Sequence, residues 1–459
     1  MESGNIMRLC GNLMSGIILS LAVSCSGSAG DDYRLAVLDP GHFHASLLQK
    51  SEVRGIDDTV YVYAPPGDEV EQYLSAIGSY NTREENPTSW VTVPYIGDDY
   101  LRRMIADRKG DMVVISGNNM KKTKYIHEAV KAGYDVLADK PMAISREDFG
   151  LLVSAYALAR SNGTVIYELM TERHDVINMV ERYLLSRHDV FGELCHGTPD
   201  EPAVTMESVH YFYKTVSGKP SMRPGWYYDV RQQGEGIADV TTHLVDQIQW
   251  QCFPEDAIDY EKDVCVTGAS HWPTPVSLEE YRMSTGLASF PDYLDGCIRD
   301  GMLEVMANGT IDFRMKGVNA RITVRWDFAS EGGGDISVSV KKGTLSSIET
   351  VQDAGTGFTR QLYVRKTSDI DDSDFEKRLE RALKKYAFVS VVPVDDGVYL
   401  IDIPEENRTG HEEHFAEVAA DFLHYAGKGK VPEQEVKNTL SKYYITTEGV
   451  AMAGNTTVE

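Results

Sequence analysis

A regular alternation of short apolar strands and helix-length segments runs from Tyr33 to Met170, and it limits the fold more than any other feature of the chain. The stretches "RLAVLD" and "DTVYVYAP" read as buried strands, and helix-like stretches such as "GDEVEQYLSAIGSY" separate the strands. Strands that alternate with helices predict a parallel, doubly wound sheet. We therefore expect an α/β protein whose residues 31–170 form a Rossmann-type domain.

The hydrophobic pattern changes after Thr171, where longer strands of alternating apolar and polar residues begin. "MESVHYFYKTV", "ARITVRWDFA" and "DISVSVKKG" are typical of a sheet with one covered face. Helical segments also occur here, at "HLVDQIQWQCF" and near the C-terminus. Residues 171–459 are thus predicted to form an α+β domain with an open, mostly antiparallel sheet, and "SHWPTPVSLEEYRMS" is predicted to be a surface loop.

The charge balance argues against one class of partner. The 459 residues include 70 acidic and 45 basic side chains, a formal net charge of −25. The sequence contains no stripe of Lys and Arg residues that could bind along the phosphate backbone of a nucleic acid. We therefore expect no nucleic-acid partner, and the 42% of hydrophobic residues is that of an ordinary globular protein.

The N-terminus has the pattern of an export signal. Arg8 precedes the apolar run "GIILSLAV", and Cys25 follows small residues. The run is the length of a signal core and is shorter than the roughly 20 residues that span a bilayer. We predict a signal peptide over residues 1–25 with a lipobox-like end, and hence a periplasmic or outer-membrane-anchored lipoprotein that touches the membrane only through its lipid. A cleaved signal without acylation is the alternative.

A lysine follows a buried strand in "VLADKPMA", residues 136–143. Ligands of open α/β sheets bind at the carboxyl ends of the strands, and the ammonium group of Lys140 would lie at that edge. An ordinary turn is the simpler interpretation of a Lys-Pro pair in isolation.

A carboxylate and an imidazole occur four residues apart in "GEGIADVTTHLVD". If this segment opens a helix, Asp239 and His243 share one face, and Asp246 follows on the same side. A carboxylate beside an imidazole orients the ring, as a general base requires. A purely structural helical pair is the alternative.

Together these stretches resemble the glucose-fructose oxidoreductase, inositol dehydrogenase and MocA family of two-domain, NAD(P)-dependent oxidoreductases. Asn119 matches the asparagine of the family's Thr-Pro-Asn turn, and "DKP" matches its Glu-Lys-Pro. The resemblance implies NAD or NADP as cofactor, a homo-oligomer, and a catalytic set of Lys140, Asp239 and His243. It also implies a cofactor-binding set of Gly41, His42, Phe43, Asn119, Asp139 and Lys140.

The opening turn departs from the family pattern. Where G-x-G-x-x-G is usual, this chain has Asp39, Gly41 and His44, so only the middle glycine remains. That glycine lets the backbone approach the diphosphate. The second strand also lacks an acidic residue at its tip, and Asp68 is the nearest substitute for the ribose contact. The sequence leaves open whether the dinucleotide is retained.

His42 and His44 raise a second possibility for this turn. Two imidazoles two residues apart can share a zinc-type ion with a third ligand, for which the chain offers Glu168, His174 or His210. Structural histidines are the more common outcome, and the prediction is no metal.

Aromatic residues gather in "HYFYK" and "RPGWYYD" ahead of Asp239. Such rings stack on sugars, which makes Lys214, Trp226 and Tyr227 candidates for substrate contacts, although packing in a core is the alternative.

The expected function is an NAD(P)-dependent oxidoreductase acting on a sugar or glycoside. An exported enzyme has no free nicotinamide pool, so we expect a tightly held and internally recycled cofactor, with glycoside cleavage as one use of that cycle. One alternative is a carbohydrate hydrolase or lyase on the same scaffold, which uses the redox cycle transiently or a histidine-based, metal-assisted site without dinucleotide. Another is a non-catalytic glycan-binding lipoprotein.

Overall fold

A computed structural model describes residues 32–216, 219–220, 222–330, 334–410 and 412–455. The signal peptide predicted at residues 1–25 lies outside this part of the chain. Within the described residues, no helix combines the length and the apolar character needed to cross a membrane.

The N-terminal half forms a sheet of six parallel strands. They are β1 (Tyr33–Leu38), β2 (Ile56–Ala64), β3 (Val91–Ile96), β4 (Met112–Ile115), β5 (Asp135–Ala138) and β6 (Ile166–Glu168). Their order in the sheet is β3-β2-β1-β4-β5-β6. The winding direction changes between β1 and β4, so a ligand crevice is expected at the carboxyl ends of these two strands. The predicted Rossmann-type sheet is confirmed.

Five helices connect these strands. They are α1 (His44–Leu47), α2 (Asp68–Thr82), α3 (Tyr100–Asp107), α4 (Asn119–Lys131) and α5 (Arg146–Asn162). The helix expected from "FHASLLQK" is shorter than predicted. It has four residues. After it, the backbone forms turns whose hydrogen bonds join residues three positions apart, such as the bond from the N–H of Gln49 to the carbonyl of Ser46.

The C-terminal half is built on a ten-stranded sheet. Its strands are β7 (Val204–Tyr213), β10 (Val264–Val276), β11 (Ile298–Arg299), β12 (Met302–Met315), β13 (Val318–Ala329), β14 (Ile336–Lys342), β15 (Ser346–Gln352), β16 (Gln361–Lys366), β17 (Ser390–Asp395) and β18 (Val398–Asp402), while β8 (Thr215–Val216) and β9 (Lys219–Pro220) form a separate ribbon. The order is β10-β12-β13-β7-β14-β15-β16-β18-β17, with β11 on β12. The β7–β13 pair is parallel and the other pairs are antiparallel. The predicted mostly antiparallel sheet is confirmed.

Seven helices accompany this second sheet. They are α6 (Val176–Leu185), α7 (Val230–Gln233), α8 (Thr241–Cys252), α9 (Leu278–Thr285), α10 (Asp372–Leu383), α11 (His414–Ala426) and α12 (Glu433–Asn455).

The loop predicted at "SHWPTPVSLEEYRMS" is wrong, because the segment contains the end of β10 and all of α9. Pro273 and Pro275 fit in β10 because it is the edge strand, where a missing N–H leaves no ladder bond broken. Ser277 and Glu280 form a capping box that starts α9.

The last two helices belong to the cores of both halves. From α11, Phe415, Val418 and Phe422 are buried in the core on one side of the parallel sheet, and Tyr443 of α12 is buried on the other side. Ile445, two residues further along α12, is buried in the core of the second sheet. The N-terminal sheet is therefore covered in part by residues from the end of the chain.

A buried ionic cluster, formed by Lys442, Glu168, Asp246 and Arg173, fixes α12 in place. The Nζ of Lys442 is 2.6 Å from Oε2 of Glu168 and 2.9 Å from Oδ1 of Asp246. Arg173 Nε donates to Oδ2 of Asp246 at 2.8 Å. Because Glu168 ends β6 and Asp246 lies in α8, this cluster joins the parallel sheet to α8.

Phe422→Ala tests whether α11 is part of the N-terminal core. Phe422 is fully buried, so its truncation should lower the free energy of unfolding by about 3–5 kcal/mol. Phe388→Ala, at a ring that is 36% exposed, is the matched control and should have a much smaller effect. Denaturant titration of the two variants measures the difference, and equal losses would contradict the assignment.

Candidate active site

The site is built where three loops leave the carboxyl ends of β1, β4 and β5. Leu38 ends β1, Ile115 ends β4 and Ala138 ends β5, and each strand is hydrogen-bonded to its neighbour in this order. Because parallel strands end at the same edge, the residues that follow them converge. Asp139 and Lys140 lie at this edge, as the sequence predicts.

Lys140 reaches across to the second half of the chain. Its Nζ donates a hydrogen bond to Oδ1 of Asp239 at 2.6 Å, and Nε2 of Gln233 donates to the other oxygen, Oδ2, at 3.0 Å. The side chains of Lys140 and Asp239 are 14% and 5% exposed. Burial acts to raise the pKa of Asp239, but the charge and hydrogen bond of Lys140 hold that pKa below its ordinary value. Asp239 is therefore an anion that orients Lys140.

Asn119 forms a second bridge between the halves. Its Nδ2 donates to the backbone carbonyl of Gln233 at 2.7 Å, and its Oδ1 accepts from Nζ of Lys122, also at 2.7 Å. Lys122 is buried, and this burial lowers the pKa of its ammonium group to about 8 against the opposing effect of Asp139. Sequence reasoning missed Gln233 and Lys122, because their roles depend on contacts between segments far apart in the chain.

His243 lies in the first turn of α8, while Asp239 precedes that helix. The prediction that all three residues of "DVTTHLVD" share a helix face is therefore wrong for Asp239, which sits in the approach to α8. Asp246 belongs to the buried ionic cluster, and its charge is matched there by Arg173 and Lys442. Its role is thus to hold α8 in place, which positions His243 one turn after Asp239.

The opening turn replaces a glycine with an aspartate in a left-handed conformation. Asp39 has φ +47°, and its Oδ2 accepts hydrogen bonds from Nζ of Lys121 at 3.1 Å and from the hydroxyl of Tyr125 at 2.7 Å. Aspartate tolerates this conformation better than most residues. The Lys121 ion pair also offsets the repulsion that an isolated carboxylate would exert on a phosphate.

Gly117 is a further requirement of this turn that sequence reasoning missed. The N–H groups of Gly41 and His42 both donate to the carbonyl of Ser116, at 3.1 and 3.2 Å, so the β1 and β4 loops lie against each other. A Cβ on Gly117 would be 2.3 Å from the carbonyl oxygen of Asp39, which only glycine avoids. The detectable signal was a Ser-Gly pair directly after a buried strand.

His42 and His44 both bind Asp139. Nδ1 of His42 is 3.1 Å from Oδ2 of Asp139, and Nδ1 of His44 is 3.0 Å from Oδ1. The hydroxyl of Ser116 also donates to Oδ2, at 2.9 Å. Burial lowers the pKa of His44 to about 4, against the raising effect of the Asp139 charge. The three side chains form one connected group beneath the turn.

The third ligands that the sequence offers for these histidines lie elsewhere. Glu168 is held by Lys442 and by the hydroxyl of Tyr443, which donates to it. His174 lies beside Glu417 and Asp421. His210 binds Ser208 and Asp335. The residue that does reach the two histidines, Asp139, is 95 positions from His44 in the sequence.

A cavity of about 160 Å³ lies between the opening turn, α2 and residues 222–227. Gly41, His42, Phe43 and Tyr227 line it. Its volume is below the roughly 300–1,000 Å³ typical of ligand pockets, so a whole dinucleotide needs this cleft to widen.

The predicted substrate residues divide between two places. Tyr227 lines the cavity, and the ring of Trp226 lies close to Gly41, since a Cβ on Gly41 would be 3.6 Å from Cζ2 of the indole. Lys214 instead forms an ion pair with Asp335 at 2.6 Å.

A dinucleotide fits this edge through side chains more than through a glycine-rich turn. Asn119 and Lys140 lie at this edge, and the ammonium groups of Lys121 and Lys122 lie near the end of β4, where Lys121 is paired with Asp39. The N–H groups of Gly41 and His42, by contrast, are already used by Ser116. The diphosphate end thus has few free backbone donors.

Comparison with known proteins decides the family. The family described as "Putative oxidoreductase C terminal domain" matches residues 180–454, and the "Oxidoreductase family, NAD-binding Rossmann fold" matches residues 58–168. A crystal structure described as a "putative oxidoreductase" from Parabacteroides merdae is 43% identical and covers 92% of this chain and 98% of its own, with a TM-score of 0.90. The chain belongs to the glucose-fructose oxidoreductase, inositol dehydrogenase and MocA family.

Solved structures of much lower sequence identity share the fold. A 3-ketoreductase from Actinomadura kijaniata, solved with NADP, is 13% identical, covers 90% of this chain and 96% of its own, and has a TM-score of 0.54. A myo-inositol 2-dehydrogenase from Lactobacillus plantarum is 13% identical, covers 92% and 97%, and has a TM-score of 0.52. A search of the curated proteins finds no match. The Rossmann match starts at residue 58, after the altered opening turn.

A double-mutant cycle tests the Lys140–Asp239 pair. Asp239→Leu leaves a buried ammonium group without its partner, so the free energy of unfolding should fall by about 3–5 kcal/mol. Lys140→Met combined with Asp239→Leu removes both charges and should cost less than the sum of the single changes.

The pH dependence of the same pair has a definite sign. The pKa of Asp239 is lowered in the folded protein, so the pair's contribution is present above about pH 4 and is lost as the pH falls through the lowered pKa. Denaturant titrations at several pH values measure both effects. Additive costs, or a loss that appears only on raising the pH, would contradict the arrangement.

Proposed function

We propose that this protein is an NAD(P)-dependent oxidoreductase that acts on a hydroxyl group of a sugar or glycoside. The observation that carries the proposal is the Lys140–Asp239 hydrogen bond at the carboxyl edge of the parallel sheet. A cation held by a buried carboxylate at the carboxyl edge of the sheet supports the proposal, because ligands of open α/β sheets bind at that edge. Membership of an NAD-binding oxidoreductase family supports the same reaction class.

The residues divide the work of alcohol oxidation as follows. Bound nicotinamide supplies the acceptor for the hydride of the substrate carbon. His243, in the first turn of α8, takes the proton of the substrate hydroxyl. The ammonium group of Lys140 stabilises the negative charge that develops on the same oxygen. Asp239 and Gln233 keep Lys140 in place, so this stabilisation needs no rearrangement during the reaction.

Apolar and aromatic groups around the cavity support a sugar-like substrate. Tyr227 lines the cavity, and the ring of Phe43, also in its wall, is 58% exposed. Met222, another lining residue, is 50% exposed. Such surfaces pack against the apolar faces of sugar rings while polar groups bind the hydroxyls. The fold relatives named as a 3-ketoreductase and a myo-inositol 2-dehydrogenase also favour a cyclic polyol or a sugar.

The proposed place of the enzyme is outside the cytoplasm, attached through a lipid on Cys25. In that location a tightly bound cofactor that returns its hydride within one catalytic cycle suits the chemistry better than a freely exchanging one. Glycoside cleavage is one reaction that such a cycle permits, because oxidation of a ring carbon makes elimination at its neighbour possible.

The nucleotide content of the purified mature protein is the first test of this function. Denatured protein should release NAD(H) or NADP(H), identified by mass and ultraviolet absorbance. If none is retained, added NAD⁺ or NADP⁺ should bind and be reduced in the presence of a sugar or glycoside from a panel. Metal without nucleotide binding would favour the hydrolase or lyase alternative and would overturn the proposal.

The roles of the side chains are tested by Lys140→Met and His243→Asn. Each should lower kcat/KM on the substrate found by at least about 100-fold, the usual size of a general acid–base contribution. His188→Asn is the matched control, because that imidazole is 76% exposed and pairs with Glu193. Full activity in either test variant would remove that residue from the mechanism.

Lipid attachment has its own test. When the full chain is made in a bacterium that processes lipoproteins, a labelled fatty acid should enter the protein, and Cys25→Ser should abolish the labelling. Cys10→Ser, a second cysteine within the predicted leader, should leave it unchanged. Labelling that survives Cys25→Ser, or no labelling of the unmodified chain, would refute the anchor.

A further inference from the structure

Three metal-ligating side chains meet beneath the opening turn. His42, His44 and Asp139 each offer one ligand atom, and these atoms lie within 4.8 Å of one another. Within the part of the chain that the structure describes, this is the one such group of three histidine, cysteine or acidic residues. The two nitrogens are both Nδ1, and each faces a different oxygen of the same carboxylate.

The separations agree with ligands of a common ion. The Nδ1 atoms of His42 and His44 lie 3.1 and 3.0 Å from the nearer oxygens of Asp139. Ligand atoms that are each about 2.0–2.2 Å from one zinc-type ion lie about 3.0 Å apart at right angles and about 3.4 Å apart at the tetrahedral angle. Two imidazoles and one carboxylate are a common protein ligand set for zinc and for ferrous iron.

Two contacts of His42 meet at the same ring nitrogen. Its Nδ1 is 3.4 Å from the backbone N–H of His44, which requires a lone pair on that nitrogen. The same Nδ1 is 3.1 Å from the Asp139 carboxylate, which requires a proton there. Nδ1 of a neutral ring has either a proton or one lone pair, so it makes only one of these contacts; a bound metal ion would take that lone pair and replace the direct Asp139 contact.

The surroundings hold the group rigidly, and one member faces a cavity. Asp139 follows β5 directly and is fixed by the hydroxyl of Ser116, and His44 is 8% exposed at the start of α1. His42 also lines the cavity beside the turn. The nearby ammonium groups have partners of their own, since Lys122 donates to Asn119 and Lys140 to Asp239.

We infer that His42, His44 and Asp139 form a binding site for one divalent transition-metal ion of the zinc type. The site uses the two histidines considered from the sequence but takes its third ligand from Asp139, in place of Glu168, His174 or His210. It does not depend on the proposed oxidoreduction, because its ligands and their geometry stand whether or not nicotinamide binds.

The test measures metal binding directly. Protein stripped with a chelator and then incubated with Zn²⁺ or Co²⁺ should bind one equivalent per chain, as measured by elemental analysis and calorimetry. Co²⁺ should also give visible absorption bands of nitrogen and oxygen coordination. Asp139→Asn and His42→Asn should each weaken binding on the order of 100-fold. His188→Asn, which alters an exposed imidazole elsewhere, should bind like the unmodified protein.

The experiment distinguishes loss of metal binding from failure of a variant to fold. Because Asp139 is buried, its variant is compared only if its circular dichroism matches that of the unmodified protein. His42 is only partly buried, so His42→Asn gives the decisive result if the other variant fails to fold. No binding by the unmodified protein, or equal binding by His42→Asn, overturns the inference. Nucleotide content measured on the same samples shows separately whether the proposed oxidoreductase function holds.

Discussion

The buried ionic cluster around Lys442 is the constraint on which the arrangement of the molecule depends. Glu168 ends the parallel sheet, Asp246 belongs to α8, and Lys442 of α12 binds both. Taking charges out of water is costly, so such a group stabilises only the geometry in which every member is matched. That geometry fixes the direction of α8, and with it the position of Asp239, which lies just before the helix. The Lys140–Asp239 bond therefore depends on a cluster that touches neither residue.

Several polar contacts between side chains and backbone cross the crevice between the two halves. Lys140 binds Asp239, Asn119 binds the backbone of Gln233, and the amide of Asn118 donates to Gln232 at 2.8 Å. Each bond joins a loop of the parallel sheet to the segment that leads into α8. The crevice is thus narrowed by polar contacts, which exchange partners more readily than packed apolar surfaces do.

Much of the fold could be read from local pattern. The period of the strands and helices before Met170 predicted the parallel sheet, because its central strands β1, β4 and β5 are buried on both faces and are almost wholly apolar. The position of Lys140 followed from the rule that parallel strands end together. The edge strand β10 was missed, because its prolines resemble those of a loop, although the Ser277 capping signal of the next helix was present.

The remaining features depend on contacts that no local pattern encodes. Nothing near His42 or His44 indicates Asp139 as their partner, since the pairing exists only once β5 lies two strands from β1. Gln233 likewise has no signal of its own beyond a neighbouring glycine. The short α1 also differs from expectation, and it leaves the diphosphate end of the crevice with fewer backbone donors than its family pattern implies.

The placement of α11 and α12 has a consequence for how the chain matures. Phe415 and Phe422 pack on one side of the N-terminal sheet, and Tyr443 packs on the other. The hydrophobic core of this sheet is therefore complete only when α11 and α12 have been made. Domains whose residues are contiguous acquire structure as they emerge, one after another. Here the N-terminal half completes its core only after α11 and α12 have been made and have packed against it.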